Sequence, residues 1–391
     1  MKKILFCFIV LLSLNANAQE EQKITVKPYG FVGFDVMMDT HESVTSRQNH
    51  VYLYPKEVSG SKKSYDFGAG ITRFGVKIKS LDAFGAKTSA QIEGDFMGTS
   101  GNGSDFVVRL RHAFINLDWD KSALLIGKTW HPFFIPENFP GMVNFVVGAP
   151  IHPLCRAPQI RYTYKAGQDL SLSFIALSQA DFANSGGARQ VEEADFPEMN
   201  LQLKYGAKKD LFVAATFGVK NQKPVATGNT TTSMQANLSL RYKTPALTIK
   251  AEGIYGGSMT NMVMIGGVAS KANNGVAVAG EYLPIYISSY WTDIHTNGKK
   301  VQIGAFGGVT NNLGTKEESV VAETMFTRGS DIEKVIAFAP RVVFISGKMT
   351  VGLELLHTIA SYGSDFTSKS KPTDTKDYSN NRITLGVRYN F

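Results

Sequence analysis

The last nine residues alternate between two kinds of side chain, and this alternation constrains the fold more than any other stretch. The apolar or aromatic positions are Ile383, Leu385, Val387, Tyr389 and Phe391, and the residues between them are small or polar. Successive side chains of a β-strand point to opposite faces, so this strand has one apolar and one polar face. A soluble β-sandwich can use such a strand. A transmembrane β-barrel requires it, because lipid covers one face and an aqueous lumen the other.

The N-terminus carries the pattern of a secretory signal peptide. Two lysines precede an apolar run at residues 4–14, which is too short to span a bilayer, and the small residues of 16–18 form a cleavage site. We therefore predict that residues 1–18 are removed and that residues 19–391 form one barrel domain. Losing two lysines lowers the formal net charge from +8 to +6. No later stretch reaches the roughly 18 consecutive apolar residues of a membrane-spanning helix.

Alternating segments of roughly ten residues recur along the rest of the chain. There are sixteen of them, joined by connections that are alternately short and long, and they include residues 158–165, 284–295, 349–359 and 381–391. The sequence therefore predicts an all-β fold: a transmembrane antiparallel β-barrel with short periplasmic turns and long external loops. Boundaries are least defined at residues 256–290, so 14 or 18 strands are also compatible with the pattern. A soluble sandwich or propeller is the alternative, but no blade repeat is visible.

Cysteine content and charge exclude several classes of function. Cys7 lies in the signal peptide, so Cys155 is left alone and no intramolecular disulfide can form. A basic chain could bind nucleic acid, but export to the cell envelope argues against that partner. In a barrel, a positively charged lumen instead favours anionic solutes. We therefore expect an integral protein of a Gram-negative outer membrane, in contact with its lipid, whose partners are small anions.

Assigning the lipid-facing rows also assigns the inward rows. Arg73 and Lys77 fall on the inward row of the second strand, and Glu93 and Asp95 on that of the third. Because these strands form a hairpin, Arg73 is expected within cross-strand reach of Glu93. The two carboxylates could brace the wall by pairing with basic residues, or set a transverse field across the pore, and the two roles are compatible.

Further basic residues are candidates for the pore wall. Arg109 and Arg111 share one face of the fourth strand, but that face begins charged and ends apolar, which indicates a bulge or the membrane boundary. An arginine facing lipid near the midplane costs about 2–4 kcal/mol, so we place both side chains inward. Lys128, on an equally ambiguous strand, is another candidate. The remaining predicted pore-lining residues are Arg161, Arg241, Arg382 and Arg388.

Residues 131–158 form the longest loop in the first half of the chain, and this loop is rich in proline and apolar residues. A loop of that composition must bury itself rather than face water. We predict that it lines a constriction in the lumen, with Arg156 and either His131 or His152 facing the solute. The alternative is an apolar loop at a subunit interface.

The sequence contains no pattern of a catalytic or metal site. The seven histidines are scattered without an HExxH motif or a closely spaced Cys/His set, and no Gly-x-Ser-x-Gly elbow occurs. We therefore predict no metal, no cofactor and no enzymatic activity, and interpret the chain as a diffusion porin. Two alternatives stay open: a plugged structural or adhesive surface barrel, and a barrel hydrolase whose catalytic residues come from separate strands.

Four blocks of the first half resemble the DcaP-like trimeric porins. They are residues 71–77, 92–96, 109–117 and 124–133. The resemblance implies a 16-stranded barrel, a homotrimer and diffusion of small, often negatively charged solutes. The solute-binding residues that it implies are Arg73, Arg109, Arg111 and Lys128.

Both ends of the mature chain bear on this resemblance. Members of the family often carry a periplasmic coiled coil before the barrel, whereas only residues 19–23 precede the first predicted strand here. Trimer contacts are therefore expected on the barrel wall. The terminal Phe391 is similar to the C-terminal aromatic residue by which the insertion machinery recognises outer-membrane barrels.

Overall fold

The barrel is built from sixteen antiparallel strands that pair in chain order. The computed structural model describes residues 24–98 except 59 and 61, 107–178, 193–321 except 226, and 327–391. The predicted signal peptide, residues 1–18, lies outside this part. Among the described residues, no helix is both long enough and apolar enough to cross a membrane.

We number the barrel strands β1 to β16. Their bounds are β1 Thr25–Asp39, β2 Ser64–Gly68 and, after a short break, Arg73–Lys79, β3 Lys87–Gly98, β4 Val107–Asp118, β5 Ser122–Trp130, β6 Arg156–Lys165, β7 Leu170–Leu177, β8 Glu198–Tyr205, β9 Leu211–Gln222, β10 Thr231–Lys243, β11 Leu247–Gly257, β12 Val276–Thr296, β13 Val301–Gly314, β14 Ile332–Ser346, β15 Met349–Phe366 and β16 Pro372–Asn390. β1 pairs with β2 on one side and with β16 on the other, which closes the barrel. The predicted count of sixteen strands is confirmed.

The strands alternate between exposed apolar and buried polar side chains, as a period of two requires. On β8, Leu201 is 41% exposed whereas the neighbouring Gln202 is 2% exposed. On the closing strand β16, Leu385 is 38% exposed and Thr384 is 1% exposed. The outward rows therefore form an apolar belt suited to lipid, and the polar rows face the interior.

The structure corrects the predicted lengths of several strands, most strongly those of β12, β15 and β16. β15 continues to Phe366 and β16 begins at Pro372, so most of residues 360–380, predicted as a loop, is paired strand. These residues are mostly polar on both faces, so apolar alternation gave no signal beyond the lipid belt. β12 likewise begins at Val276 rather than at residue 284.

A β-bulge explains why β4 was ambiguous. In its pairing with β3, Glu93 lies opposite His112 whereas Gly94 lies opposite Leu110, so Arg111 is an extra residue on β4. The bulge reverses the phase of the strand. The odd-numbered residues up to Arg111 face inward, and from His112 onward the even-numbered residues do.

Several connections fold onto the inward faces of the strands and supply most of the apolar core. They include residues 131–155, the hairpin Ser43–Ser46 with Val51–Pro55, and a segment that contains the short 3-10 turn Thr260–Met262. Phe133 and Ile265 from these connections are fully buried. The apolar core of this molecule therefore lies inside the barrel.

Candidate solute-binding site

Three arginines and two carboxylates form a network on the inward face of β2, β3 and β4. Arg109 donates from Nε and Nη2 to Oδ1 and Oδ2 of Asp95, at 3.0 and 2.6 Å. Arg111 joins the two carboxylates, because its Nε lies 2.6 Å from Glu93 Oε1 and its Nη1 lies 2.8 Å from Asp95 Oδ2. Buried charges are tolerated when they are paired and hydrogen-bonded in this way. The network therefore holds these guanidinium groups in fixed positions.

Arg73 is the third arginine of the network and the one bound most loosely. Its Nε lies 3.6 Å from Glu93 Oε1, which confirms the predicted cross-strand proximity. Among the described residues, this buried Nε has no hydrogen-bond partner. Three guanidinium groups thus face two carboxylates, which leaves one positive charge in excess.

A cavity of about 230 Å³ adjoins the network and has an aromatic wall. Trp130 and Phe134 stack with 3.7 Å between ring centroids and 15° between ring planes. The guanidinium carbon of Arg156 lies 4.5 Å from the centre of the Trp130 ring, and that of Arg111 lies 5.8 Å from it. Guanidinium groups and aromatic faces therefore line one cavity. Its lining includes Arg73, Arg111, Trp130, Phe134, Phe139 and Arg156.

The connection from β5 to β6, residues 131–155, is anchored at both ends by histidine–carboxylate pairs. His131 Nε2 lies 2.9 Å from Glu198 Oε1 on β8, and His152 Nδ1 lies 3.1 Å from Glu252 Oε1 on β11. All four side chains are buried. These contacts join the connection to the inward faces of strands that follow it.

Glu354 on β15 holds the middle of the same connection. Its carboxylate accepts the backbone N–H groups of Val143 and Asn144 at 2.8 and 3.1 Å, and its side chain is buried. β3 and β11 are eight strands apart in a ring of sixteen, so they lie on opposite walls. Residues 131–155 therefore cross the barrel interior between the arginine network and the wall that faces it.

Three of the other basic residues predicted on the pore wall contact mainly backbone carbonyls or an aromatic ring. Arg161 donates from Nη2 to the carbonyl of Trp130 at 3.1 Å, and Arg241 donates from Nη1 to the carbonyl of Glu137 at 3.0 Å. Lys77 is exposed, and its Nζ lies 5.0 Å from the centre of an aromatic ring on β1.

The two arginines of β16 pair with carboxylates of β1. Arg382 donates to both oxygens of Asp39, at 2.9 and 2.6 Å, and is fully buried. Arg388 Nη1 lies 2.6 Å from Asp35 Oδ1, and its side chain is one-fifth exposed. Arg382 thus stabilises the seam between β1 and β16 that closes the barrel. The Arg388 side chain remains partly exposed.

Lys128 was assigned to the wrong face of its strand. It lies opposite Pro158 in the outward row of β5, next to Ile126, which is 47% exposed. Its neighbour Thr129 faces inward and lies 3.1 Å from the ring of His112. The phase of β5 is set by pairing with β4 beyond the bulge, which the sequence pattern did not locate.

The predicted boundary of the loop at residue 158 was also wrong. β6 begins at Arg156, which pairs with Trp130, so Arg156 belongs to a strand. The apolar alternation that predicts this strand becomes visible only from Pro158, two residues after the strand begins. The connection therefore spans residues 131–155.

Sequence reasoning missed the aromatic wall and the carboxylates that anchor the connection. Trp130 and Phe134 gave no signal, since each is one aromatic among many. The sequence did carry a signal for the anchoring carboxylates, which are Glu198, Glu252 and Glu354. A carboxylate on an inward row of small or polar residues must have a partner if it is buried. Across the described ranges, no group of three or more His, Cys, Asp or Glu side chains could hold a metal ion.

Known structures share the architecture of this barrel. The outer membrane channel DcaP of Acinetobacter baumannii is 18% identical, with a TM-score of 0.73, and the match covers 96% of this chain and 100% of that one. OmpT of Vibrio cholerae, in its trimer form, is 14% identical over 95% and 100% of the two chains, with a TM-score of 0.54. An anion-selective porin from Comamonas acidovorans is 12% identical over 94% and 100%, with a TM-score of 0.58. These identities establish the fold alone.

Sequence comparison identifies the family. No curated protein sequence matches the chain. The family model described as DcaP outer membrane protein matches residues 13–251, which is more than half of the chain. That match confirms the resemblance seen in the sequence blocks. The chain therefore belongs to the DcaP outer membrane protein family and is an integral outer-membrane channel of a Gram-negative bacterium.

Proposed function

We propose that the protein is a passive porin that prefers small anions to cations. The observation that carries the proposal is the cavity of about 230 Å³ beside the arginine network, inside the barrel. We further propose that residues 131–155 form the constriction, because they cross the interior and supply the aromatic side of this cavity.

Charge is the reason to expect anion preference. The network leaves one positive charge in excess, and Arg156 lies on the same cavity. Two unit charges about 4 Å apart interact by roughly 4 kcal/mol at an effective dielectric constant of about 20. Arginine also presents a fixed fork of N–H donors that matches carboxylate and phosphate oxygens. An anion in this cavity is therefore favoured over a cation of the same size.

The aromatic wall suggests which anions gain most. Trp130, Phe134 and Phe139 present apolar ring surfaces to the cavity beside the guanidinium groups. A fully hydrated inorganic ion gains little from such faces, whereas an organic acid with an apolar body can cover them. We therefore expect organic carboxylates to bind more tightly than chloride.

We also propose a homotrimer, in which the outward face of the barrel wall supplies the contacts. The support is the architecture shared with OmpT of Vibrio cholerae, which has been solved in a trimer form. Phe391 is half exposed at the end of β16, where the insertion machinery could reach it. Residues 1–18 remain the proposed signal peptide.

One observation favours the plugged barrel as a second candidate. The connections inside the barrel form a continuous apolar core, and residues such as Phe133 and Ile265 are fully buried in it. A plugged barrel would show no current steps in a planar bilayer under conditions in which the protein is folded. Reproducible steps would exclude this reading.

Reversal potentials in a potassium chloride gradient test the proposal. We expect the wild type to favour chloride, and Arg73→Gln and Arg156→Gln each to move the permeability ratio toward one. Lys348→Gln, on the turn between β14 and β15, serves as the control and should leave the ratio unchanged. An unchanged ratio in both arginine variants would remove the cavity as the source of selectivity.

A further inference from the structure

Four lysines lie together where β1, β2 and β3 approach the periplasmic turn. Lys27 on β1 lies directly opposite Lys77 on β2, and Thr25 lies opposite Lys79. Lys87 is the first residue of β3. All four lysine side chains are exposed. We call Lys27, Lys77, Lys79 and Lys87 the lysine patch.

The lysine patch shares the inward face with the arginine network. Tyr29, two residues along β1 from Lys27, donates its hydroxyl hydrogen to Glu93 Oε2 at 2.9 Å. Lys77 Nζ lies 5.0 Å from the centre of the Tyr29 ring. Because side chains two residues apart lie on one face of a strand, Lys27 and Tyr29 both point into the barrel.

The pairing within the lysine patch is electrostatically unfavourable. Like charges placed directly opposite each other destabilise an antiparallel pair, and Lys27 and Lys77 stand in that relation. Within the described part of the chain, no lysine of the patch forms an ion pair with a carboxylate. Asp118 lies opposite Lys87, but Lys165 Nζ already lies 2.6 Å from it. A destabilising arrangement of charges that no structural contact offsets is typical of functional sites.

The space beside the lysine patch is large enough for a solute. A recess of about 500 Å³ is lined by Lys79, Lys87, Ser89 and Asn116, and also by the carboxylates of Asp82 and Asp118. At about 3.3 Å per strand residue, Lys77 lies roughly 13 Å along β2 from Arg73. The Debye length at physiological ionic strength is about 8 Å, so the charges of Arg73 and Lys77 both attract an anion that lies between them.

We propose that the lysine patch is a second anion-binding station, at the periplasmic mouth, which takes small anions that leave the arginine cavity. This inference rests on the proposed function. Exposed ammonium groups on flexible stems attract by charge without a fixed shape, so the station accepts inorganic anions and carboxylates alike. The patch makes the pore electrostatically asymmetric along its axis, because it lies at one end only.

Cysteine modification at Ser89 measures the local potential directly. Ser89 lies opposite Lys79 and lines the same recess, and Ser89→Cys leaves all four lysines in place. The reconstituted variant is treated with a negatively charged and a positively charged methanethiosulfonate reagent of similar size. A unit charge about 7 Å away in water changes the local concentration of a monovalent ion by about threefold. We therefore expect the negative reagent to react several-fold faster.

Lysine variants in the Ser89→Cys background assign that preference to the patch. The rate ratio is the reaction rate of the negative reagent divided by that of the positive reagent. Replacing Lys27 and Lys77 together by glutamine should lower this ratio by about threefold or more. Lys208→Gln, on the turn between β8 and β9, is the matched control and should leave the ratio unchanged. The wild type supplies the background rate, because Cys155 is buried. Thr25→Cys replaces Ser89→Cys if that variant does not fold.

A rate ratio near one, or a ratio that the two lysine replacements do not change, overturns the second station. Reagent rates require no ionic current, so this result is separate from the test of ion selectivity. A channel without anion preference can keep a high rate ratio, which would reject the porin proposal alone. Anion preference with a rate ratio of one would reject the lysine patch alone.

Discussion

The guanidinium carbon of Arg156 lies 4.5 Å from the centre of the Trp130 ring, on the wall of the arginine-lined cavity. The same ring stacks on Phe134. Trp130 thus joins a charged strand residue to the connection that crosses the barrel.

We expect Trp130→Leu to weaken the binding of an aromatic carboxylate such as benzoate. The substitution removes an aromatic ring that the benzoate ring would contact in the cavity. An aromatic pair is worth about 0.5–1.5 kcal/mol, so the dissociation constant should rise by roughly two- to tenfold. Current block at increasing benzoate concentration measures it. Trp119→Leu is the control, since Trp119 lies at the turn after β4 and donates to the carbonyl of Phe84 at 2.9 Å. Equal effects in the two variants would contradict the assignment of the cavity.

Asp95→Asn should strongly destabilise the barrel. Asp95 binds Arg109 through two hydrogen bonds and Arg111 through a third, and its side chain is fully buried. Removing one partner of a buried ion pair costs about 3–5 kcal/mol, because the other charge stays buried without compensation. Urea unfolding in lipid vesicles measures the loss. Asp365→Asn, at an exposed position on β15, should cost far less, and a similar cost in both variants would show that the network contributes little.

Glu354→Gln should loosen residues 131–155. A carboxylate accepts both N–H groups of Val143 and Asn144, whereas a glutamine side chain has one acceptor oxygen and an NH₂ group that can only donate. Leaving one buried N–H unsatisfied costs about 1–3 kcal/mol. We expect more open-channel current noise than in the wild type.

The control for this prediction is a glutamate that pairs with a lysine rather than with backbone N–H groups. Glu333→Gln removes a partly exposed carboxylate that lies 3.7 Å from Lys371 Nζ, and current noise should not change. Wild-type noise in Glu354→Gln would show that the two backbone hydrogen bonds do not restrain the connection.

Two arginine substitutions on one face of β10 test the lipid belt. Leu238 and Tyr242 are both exposed, near the middle and near the periplasmic end of the strand. Leu238→Arg should cost about 2–4 kcal/mol and Tyr242→Arg at most about 1 kcal/mol, because an arginine near the interface keeps its hydration. Unfolding free energies in vesicles give both values. Equal costs would mean that the row does not lie across the bilayer.

The prediction of the fold succeeded where a pattern repeats locally. Alternation along residues 381–391 predicts an outward Leu385 and an inward Arg382, since the period of two is a property of each strand alone. In the structure Leu385 is exposed, whereas Arg382 is buried. It failed for Lys128, because one bulge at Arg111 reverses the phase of β4 and changes how β5 pairs. A bulge adds one residue without leaving a recognisable composition.

The candidate site was predicted in part for a related reason. Arg73 and Glu93 could be brought together from sequence, because they lie on one hairpin whose register follows from a short turn. The aromatic wall could not, since Phe139 and Phe145 reach the cavity only through the path of a long connection. Loop paths depend on packing against distant strands, for which the sequence carries no local signal.

By itself, the sequence determined that this chain is a membrane barrel, for which it predicts sixteen strands with basic residues on their inward rows, because alternation is a local property of each strand. Only the tertiary structure decided which charges remain available to a solute. Arg382 pairs with Asp39 across the closing seam, and His152 meets Glu252 from 100 residues away. Barrel closure and the path of residues 131–155 determine which side chains become partners. Some basic residues therefore form buried ion pairs, and others face the lumen.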